Sequence, residues 1–411
     1  MDANAALLRR TFDAAVAAAD PDRWLKPAIA ALERPAGRVK VLSLGKAAIP
    51  MARTFAGAFD GRWAGLAVAP SGEGAAVEGS RVLEGAHPLP DERSLAAGEA
   101  ALAFAAGGGP EDLLLVLISG GASAVACAPI AGVSLHRKVE TTRRLLASGA
   151  SIAEINTVRR ACSRLKGGGL LRATQAGRVL TIAMSDVPGD GLADIGSGPA
   201  VPNPTNAQDA IAVLRSRAPD LAAPLAQAMR IHAAKSAAVR TPWRAEVGFR
   251  IGDAAEAAFA HLRGRGVEGR LLGAIAGDAA QTASVHAGRL AAGQSLVSGG
   301  ELSVPVPDGV SGRGGRNQHY LLALAIGLAG RGDVWALAAD TDGKDGSSDA
   351  AGAWVDPALL GELDVEEAHA ALAAFDAHGF FERHGRLLRT GPTGVNVGDL
   401  RLALVDPPVR A

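Results

Sequence analysis

Charged and hydroxyl side chains gather in seven glycine-punctuated segments of this 411-residue chain. In SLGKAAIPMA, residues 43–52, Gly45 turns the chain and Lys46 opens a helix. A lysine at a helix N-terminus opposes the helix dipole, so its functional reading is an ammonium aimed at a phosphate or carboxylate. ISGGASAVACAP, residues 118–129, places Ser119, Gly120, Gly121 and Ser123 after an apolar strand. Its two glycines let the backbone approach a ligand closely, and the N–H groups of the helix expected next suit an anion. INTVRRACSRLKGGGLLRA, 155–173, reads as a helix with Arg159, Arg160, Arg164 and Lys166 on more than one face, followed by three glycines. In MSDVPGDGLADIGSGPAVPNPT, 184–205, Ser185 and Asp186 end a strand. Asp190 and Asp194 follow in a loop, then Ser197 and Gly198 in a GSGP turn. Carboxylates beside a phosphate site hold Mg2+ or take the proton of a substrate hydroxyl.

The other three segments lie further along, the first of them, 298–325, holding both SGGELSV and GRGGRNQ. SGGELSV puts Glu301 in a strand after two glycines, where a carboxylate is unusual and metal or hydroxyl binding is its expected use. GRGGRNQ, 312–318, sets Gly314, Gly315, Arg316 and Asn317 just before an apolar helix, a start suited to anion recognition. AADTDGKDGSSDAAGAWVD, 338–356, crowds Asp340, Asp342, Asp345 and Asp349 together but lacks the glycine and glutamate register of a calcium loop. RTGPTGVNVGDLRLALVD, 389–406, carries Thr393 and Asn396 in a backbone-rich turn before the last strand.

Several chemistries find no motif. No G-x-x-x-x-G-K-[ST] occurs, since Lys40 and Ala47 stand where that pattern needs glycine and a hydroxyl. No GxGxxG follows a strand, which leaves a nicotinamide site unsupported. The serines of the 118–129 loop are not framed as GxSxG, so a hydrolase elbow is poorly supported too. The nine histidines show no metal-ligand spacing, and His87, in AHPLPD, is the one beside turn chemistry.

The elements that must position these loops are short apolar runs. VKVLSL, AGLAVAP, LLLVLIS and VLTIAMS read as buried parallel strands, with alanine-rich helices between them. A second series follows: AEVGFRI, RLLGAIA, LVSGGELSV, DVWALAA and LRLALVD. A polar, alanine-rich helical stretch at 207–240 separates the two series. The expected organisation is therefore α/β, with one domain over 1–235 and a second over 236–411. Ligands of open α/β sheets bind beyond the carboxyl ends of the strands, which is where the unusual residues sit.

Composition agrees with large cores: 48% hydrophobic and 20% charged residues. Lys plus Arg equals Asp plus Glu at 42 each, so the basic footprint of a nucleic-acid protein is missing. Two cysteines, Cys127 and Cys162, cannot build a disulfide framework. No apolar run reaches the ~20 residues that span a bilayer, and the N-terminus reads as an amphipathic helix. The expectation is a cytoplasmic enzyme with no nucleic-acid or membrane partner.

Taken in order, GKAA, AHPLPD, SGGASA, INTVRR with LKGG, SDVPGD with GSGP, SGGE, GRGGRNQ, TDGKDG and TGPTGVNVGDL resemble the class II glycerate 2-kinases with a C-terminal MOFRL domain. The resemblance spans roughly residues 40–405. It implies two α/β domains: a first, Rossmann-like one with a mostly parallel sheet, and a smaller MOFRL-type one. It places the active site in the cleft between them. It also implies ATP- and Mg2+-dependent phosphorylation of D-glycerate at the 2-hydroxyl, by a monomer or homodimer. Carried onto this chain, the essential lysine falls on Lys46, the essential arginine on Arg316, and a catalytic aspartate on Asp190 or Asp186, with Asp190 also the metal ligand. Nucleotide and substrate binding fall on Gly45, Ser119, Gly120, Gly121, Ser123, Ser197, Gly198, Glu301, Gly314, Gly315, Asn317, Asp342, Thr393 and Asn396. Such proteins are often labelled NAD(P)H-dependent hydroxypyruvate reductases, which is the alternative reading, together with a kinase of another small hydroxy acid. Three places depart from the family: Glu301-Leu302-Ser303, Asn317-Gln318-His319, and Phe375-Asp376-Ala377, where a hydroxyl-bearing tripeptide is usual.

Overall fold

A computed structural model describes residues 2–307 and 309–406. Its first sheet contains β1 (Val39–Leu44), β2 (Trp63–Pro70), β3 (Ser80–Gly85), β4 (Leu113–Ile118), β5 (Arg178–Ser185) and β6 (Trp243–Arg250), in the order β3-β2-β1-β4-β5-β6. Strands β1 to β5 pair in parallel. Every residue of β1 and β4 is buried. That is why both read as unbroken apolar runs: helices cover a parallel sheet on both faces. Strand order reverses between β1 and β4, so the loops after these two strands flank the switch point where such sheets take ligands.

Strand β6 differs from the sequence reading, which groups it with the later series. It forms the far edge of the first sheet, with Phe249 packed on Trp24 at 6.2 Å between ring centroids. Periodicity marks a strand but not the sheet it joins. The segment expected to continue as a helix after β4 is also shorter than its pattern suggests. Helix Ala122–Val125 spans four residues, too few for the anion-holding terminus anticipated there.

The second sheet contains β7 (Arg270–Asp278), β8 (Leu296–Ser303), β9 (Val334–Asp340), β10 (Gly352–Val355), β11 (Leu387–Leu388) and β12 (Asp399–Val405), in the order β11-β10-β9-β12-β8-β7. Here only β7 and β8 run parallel; the remaining neighbours are antiparallel. Helices Ala279–Ala291 and Arg316–Gly327 supply Leu290, Tyr320, Leu321 and Leu324 to the core beside it.

The chain forms two compact units. One comprises Pro21–Ser185 and Gly189–Phe249, and holds the first sheet. The other comprises Met1–Asp20, Asp186–Pro188 and Arg250–Ala411, and holds the second. In the first-sheet unit, helices Ile152–Ala161, Ala207–Arg217 and Pro219–Lys235 build a small core of their own around Val158, Leu214 and Leu225. Among the described residues no helix is long and apolar enough to cross a membrane.

Candidate active site

Gly45 sets the geometry after β1. Its φ is +114°, and a Cβ there would lie 2.5 Å from Ser119 Oγ and 2.6 Å from the Ser119 carbonyl oxygen. Only glycine permits both the backbone conformation and the approach. The loops after β1 and β4 consequently lock together. Lys46 N donates to Gly120 O at 2.9 Å, and Ser119 N donates to Leu44 O at 3.0 Å. Ala47 N donates to Ser119 Oγ at 3.0 Å, so that fully buried hydroxyl is a latch between the loops. Gly121, at φ +81°, faces two predicted residues: its missing Cβ would sit 3.2 Å from the His87 ring and 3.3 Å from Lys46 Cγ. Lys46, His87 and Gly121 therefore share one corner at the switch point.

A chain of polar side chains runs behind that corner. Lys166 is 1% exposed, and its Nζ donates to Ser123 O at 2.7 Å and to Ser123 Oγ at 2.6 Å. Ser123 Oγ lies 3.1 Å from Ser197 Oγ. Ser197 donates to Asn156 Oδ1 at 3.3 Å, and Asn156 Nδ2 donates to Asp194 Oδ1 at 3.1 Å. A hydroxyl has one proton, so the proton between the two serines belongs to Ser123. Arg160 closes the chain, with Nη1 3.1 Å from Asp194 Oδ1. A capping box of Ser151 and Glu154 starts the helix that presents Asn156 and Arg160. The GSGP turn is held by the glycines after Lys166: Gly167 N donates to Ser197 O at 3.0 Å, and Gly168 N to Gly198 O at 2.8 Å. Ser197 and Asp190 are non-glycine residues at positive φ, +60° and +54°. Such backbone persists only where the surroundings impose it, and it concentrates at functional loops.

In the second-sheet unit the organising residue is Arg316. Its Nε donates to Asp399 Oδ1 at 2.8 Å, its Nη2 to Asp340 Oδ2 at 2.9 Å, and its Nη1 lies 3.0 Å from Glu301 Oε1. Burial works against the cation, but Asp399, Asp340 and Glu301 outweigh it and hold the guanidinium charged above its ordinary range. One N–H on each Nη has no carboxylate assigned by these contacts, and the side chain is 26% exposed. Arg401, fully buried, supports the group from beneath, with Nη1 3.4 Å from Asp399 Oδ2.

The start of helix Arg316–Gly327 is already occupied, contrary to its expected use as an anion site. Asp345 Oδ1 accepts from Asn317 N at 3.1 Å and Oδ2 from Gln318 N at 2.9 Å. The protein's own carboxylate takes the two donors that an exogenous anion would need. Burial, reinforced by nearby Asp399, pushes Asp345 up to about 7, against the pull of those N–H groups. Gly315 makes room for this carboxylate, since a Cβ there would lie 2.2 Å from Asp345 Oδ1. Asn317 Nδ2 also donates to Asp399 Oδ1 at 2.7 Å.

The TDGKDG and TGPTGVN loops interlock in the same unit. Thr393 Oγ1 donates to Thr341 O at 2.5 Å, and Thr393 N to Asp342 O at 3.3 Å. Asn396 Nδ2 donates to Asp186 Oδ2 at 2.9 Å. The two candidate aspartates thus part company: Asp186 groups with the second-sheet unit, and Asp190 with the first. Gly314, at φ +141°, lets the loop before Arg316 reach Ser347, whose Oγ accepts from Gly314 N at 3.2 Å. Sequence reasoning missed Asn156, Lys138 and Asp399. An acid opening DLRLALV, a strand apolar apart from it and Arg401, was a signal for Asp399; Lys138 lies in a helix that reads as solvated.

Comparisons with known proteins agree along the whole chain. Residues 7–230 match the domain of unknown function DUF4147, and residues 294–399 match the MOFRL family. An Agrobacterium vitis protein named as a hydroxypyruvate reductase is 40% identical, over 97% of this chain and 94% of its own length. A glycerate 2-kinase of Pyrococcus horikoshii is 34% identical, over 90% and 88% of the two chains. The crystal structure of a glycerate kinase from Thermotoga maritima superposes with a TM-score of 0.85 at 29% identity, covering 98% of each chain.

Proposed function

The chain belongs to the class II glycerate 2-kinase family, in which a DUF4147 domain precedes a MOFRL domain, and we propose that it phosphorylates D-glycerate. The 2-hydroxyl oxygen attacks the γ-phosphorus of ATP, the bond to the β-phosphate oxygen breaks, and 2-phosphoglycerate and ADP result. The hydroxyl proton passes to Asp190 or Asp186. The observation that carries this reading is the corner at the switch point, where Lys46 takes the place that a nicotinamide fold gives to its glycine fingerprint. That favours phosphoryl transfer over the reductase name carried by some relatives.

Phosphoryl transfer is mainly positioning and charge neutralisation. Lys46 supplies a cation beside the locked loops after β1 and β4. Arg316 offers the two remaining N–H groups of its exposed edge. Among the described residues no three metal-binding side chains converge to cage an ion. Mg2+ does not need such a cage, because it takes one or two carboxylates and completes its shell with phosphate oxygens and water. Asp190 fits that sparse role: a carboxylate on a constrained loop whose neighbour Asp194 is already paired with Arg160. When bound, the ion would neutralise phosphate charge.

An enolase-coupled assay with D-glycerate, ATP and Mg2+ tests the reading, since only 2-phosphoglycerate gives signal. Signal is expected; ATP-independent oxidation of a nicotinamide with hydroxypyruvate would replace the kinase by the reductase. Lys46→Ala should lower kcat by about 100-fold or more, with unchanged circular dichroism. Near-normal turnover in that variant removes Lys46 from the chemistry.

A further inference from the structure

The second sheet has one parallel pair, β7 and β8, and ligands of α/β sheets bind beyond the carboxyl ends of such strands. The two strands end in register, with Asp278 beside Ser303. Past those ends lies a pocket of about 300 Å³, at the lower end of the roughly 300–1,000 Å³ of small-molecule sites. Asp278 closes β7, Val304 follows β8, His319 stands on helix Arg316–Gly327, and Leu372 on helix Val365–Ala373. Phe375 completes the wall, and exposed His369 borders it. All of them belong to the second-sheet unit.

Part of that lining is flat, because His319 and Phe375 stack on one another. Burial holds the His319 imidazole below its ordinary range, against the pull of Asp278, so the ring is neutral at neutral pH. Among the described residues the imidazole makes no hydrogen bond. Asp278 uses Oδ1 to accept from Gln281 N at 2.9 Å, which leaves Oδ2 without a donor there. Phe375 stands at positive φ; the other described non-glycine residues with such backbone are Asp190 and Ser197, both on the loop after β5. Strained backbone of this kind gathers at ligand clamps. A flat wall suits a flat ring, which stacks on it. A carboxylate oxygen can only accept, so the ring must bring a donor.

We propose that this pocket binds a planar nitrogen heterocycle carrying an amino group, namely the adenine base of the phosphoryl donor. The assignment to the donor rests on the kinase reading; the ring site rests on the pocket itself. The base extends the stack of His319 and Phe375, packs on Val304 and Leu372, and donates from its amino group to Asp278 Oδ2. Arg316 lies one helical turn before His319, so the base and a guanidinium suited to its phosphates share one helix end. A ring with a keto oxygen in place of the amino group would set an acceptor against the carboxylate, so the pocket selects between the two.

The test is calorimetric titration of adenosine and of inosine into the full chain. The two nucleosides share a ribose and differ in the amino or keto group of the ring. Wild type should bind adenosine saturably, and inosine roughly tenfold or more weakly. Asp278→Asn keeps the helix cap but can turn an amide NH2 toward the ligand's amino group, and should weaken adenosine roughly tenfold or more. Phe375→Asn suits the backbone, removes the ring and should weaken adenosine as well. ATP should displace adenosine from wild type. Absence of saturable adenosine binding, equal affinity for inosine, or undiminished affinity in either variant overturns the ring site. Bound adenosine that ATP does not displace overturns the assignment to the phosphoryl donor. A silent enolase assay beside intact adenosine binding would remove the kinase reading and leave the ring site standing.

Discussion

At the scale of single residues, two of the three places where this chain departs from its family meet in space. His319 stacks on Phe375 with centroids 5.5 Å apart and rings 15° from parallel. Phe375 carries a φ of +54°, a conformation that favours asparagine or glycine. The cost of that backbone, about 1–2 kcal/mol, is opposed by a stacked pair worth about 0.5–1.5 kcal/mol. Phe375→Asn removes strain and stacking together, so its stability should stay within about 1 kcal/mol of wild type. Phe375→Ala keeps the strain and loses the ring, and should be the less stable of the two in urea denaturation. Equal stability of the two variants would mean that the backbone there is unstrained. Asp376, beside it, still ties two segments together, since its Oδ1 accepts from Arg313 N at 3.1 Å and from Gly379 N at 3.3 Å. The hydroxyl missing from this tripeptide was legible in the sequence, but its stacked replacement was not. Contacts between residues 56 positions apart leave no mark on local pattern.

At the scale of elements, helix Arg316–Gly327 is held at its start by Asp345 and along its length by His286, and the two titrate in opposite senses. Asp345 is raised to about 7 from 3.8, so the folded state holds a proton that the unfolded chain releases. Its contribution is full below about pH 4 and is lost as pH rises through about 7. His286, 1% exposed with Nδ1 2.7 Å from Tyr320 Oη, is lowered to about 4, chiefly by burial and then by Arg401 and Arg289. The unfolded chain therefore binds the extra proton, and stability is lost as pH falls from about 6.5 to about 4. Between about pH 4 and pH 6.5 each effect amounts to about 3 kcal/mol, so they offset one another across that window. Urea midpoints of wild type should change little between pH 4 and pH 6.5. His286→Gln should lose stability as pH rises, and Asp345→Asn should lose it as pH falls. Parallel pH profiles for both variants would refute the opposition. Asp345→Asn should also cost about 1–3 kcal/mol near neutrality, because its amide faces N–H donors. The GRGGRNQ motif announced a helix start rich in donors. What it could not announce was that Asp345, 28 residues downstream, would fill it.

At the scale of the whole molecule, the strand–loop–helix rhythm made the first sheet readable, because buried parallel strands are continuous apolar runs. The second sheet was harder to anticipate. Its antiparallel core strand β12 carries Arg401 at 0% exposure, and β10 is four residues long. Nor does linear order disclose that the first helix belongs with the last two-fifths of the chain. Helix Ala3–Ala18 packs on helix Ile251–Arg263 and reaches β9 and β12. Leu7, Leu8 and Phe12 are wholly buried in doing so, each worth about 1.5–3 kcal/mol. Thr11 Oγ1 meets His261 Nδ1 at 2.9 Å, and Trp335 Nε1 donates to Asp2 Oδ2 at 2.8 Å. A chain lacking residues 2–20 should therefore fail selectively. Hydrogen exchange should accelerate across helix Ile251–Arg263, β9 and β12, while β1, β4 and β5 keep their protection. Phe12→Ala should reproduce the pattern more mildly, at a cost of about 3–5 kcal/mol. Uniform loss of protection in both sheets would show instead that the two units unfold as one cooperative body. Local loss would show that the first helix stabilises the sheet whose carboxylates hold Arg316, so that a mutation near the N-terminus could silence Arg316 while leaving the loops around Lys46 intact.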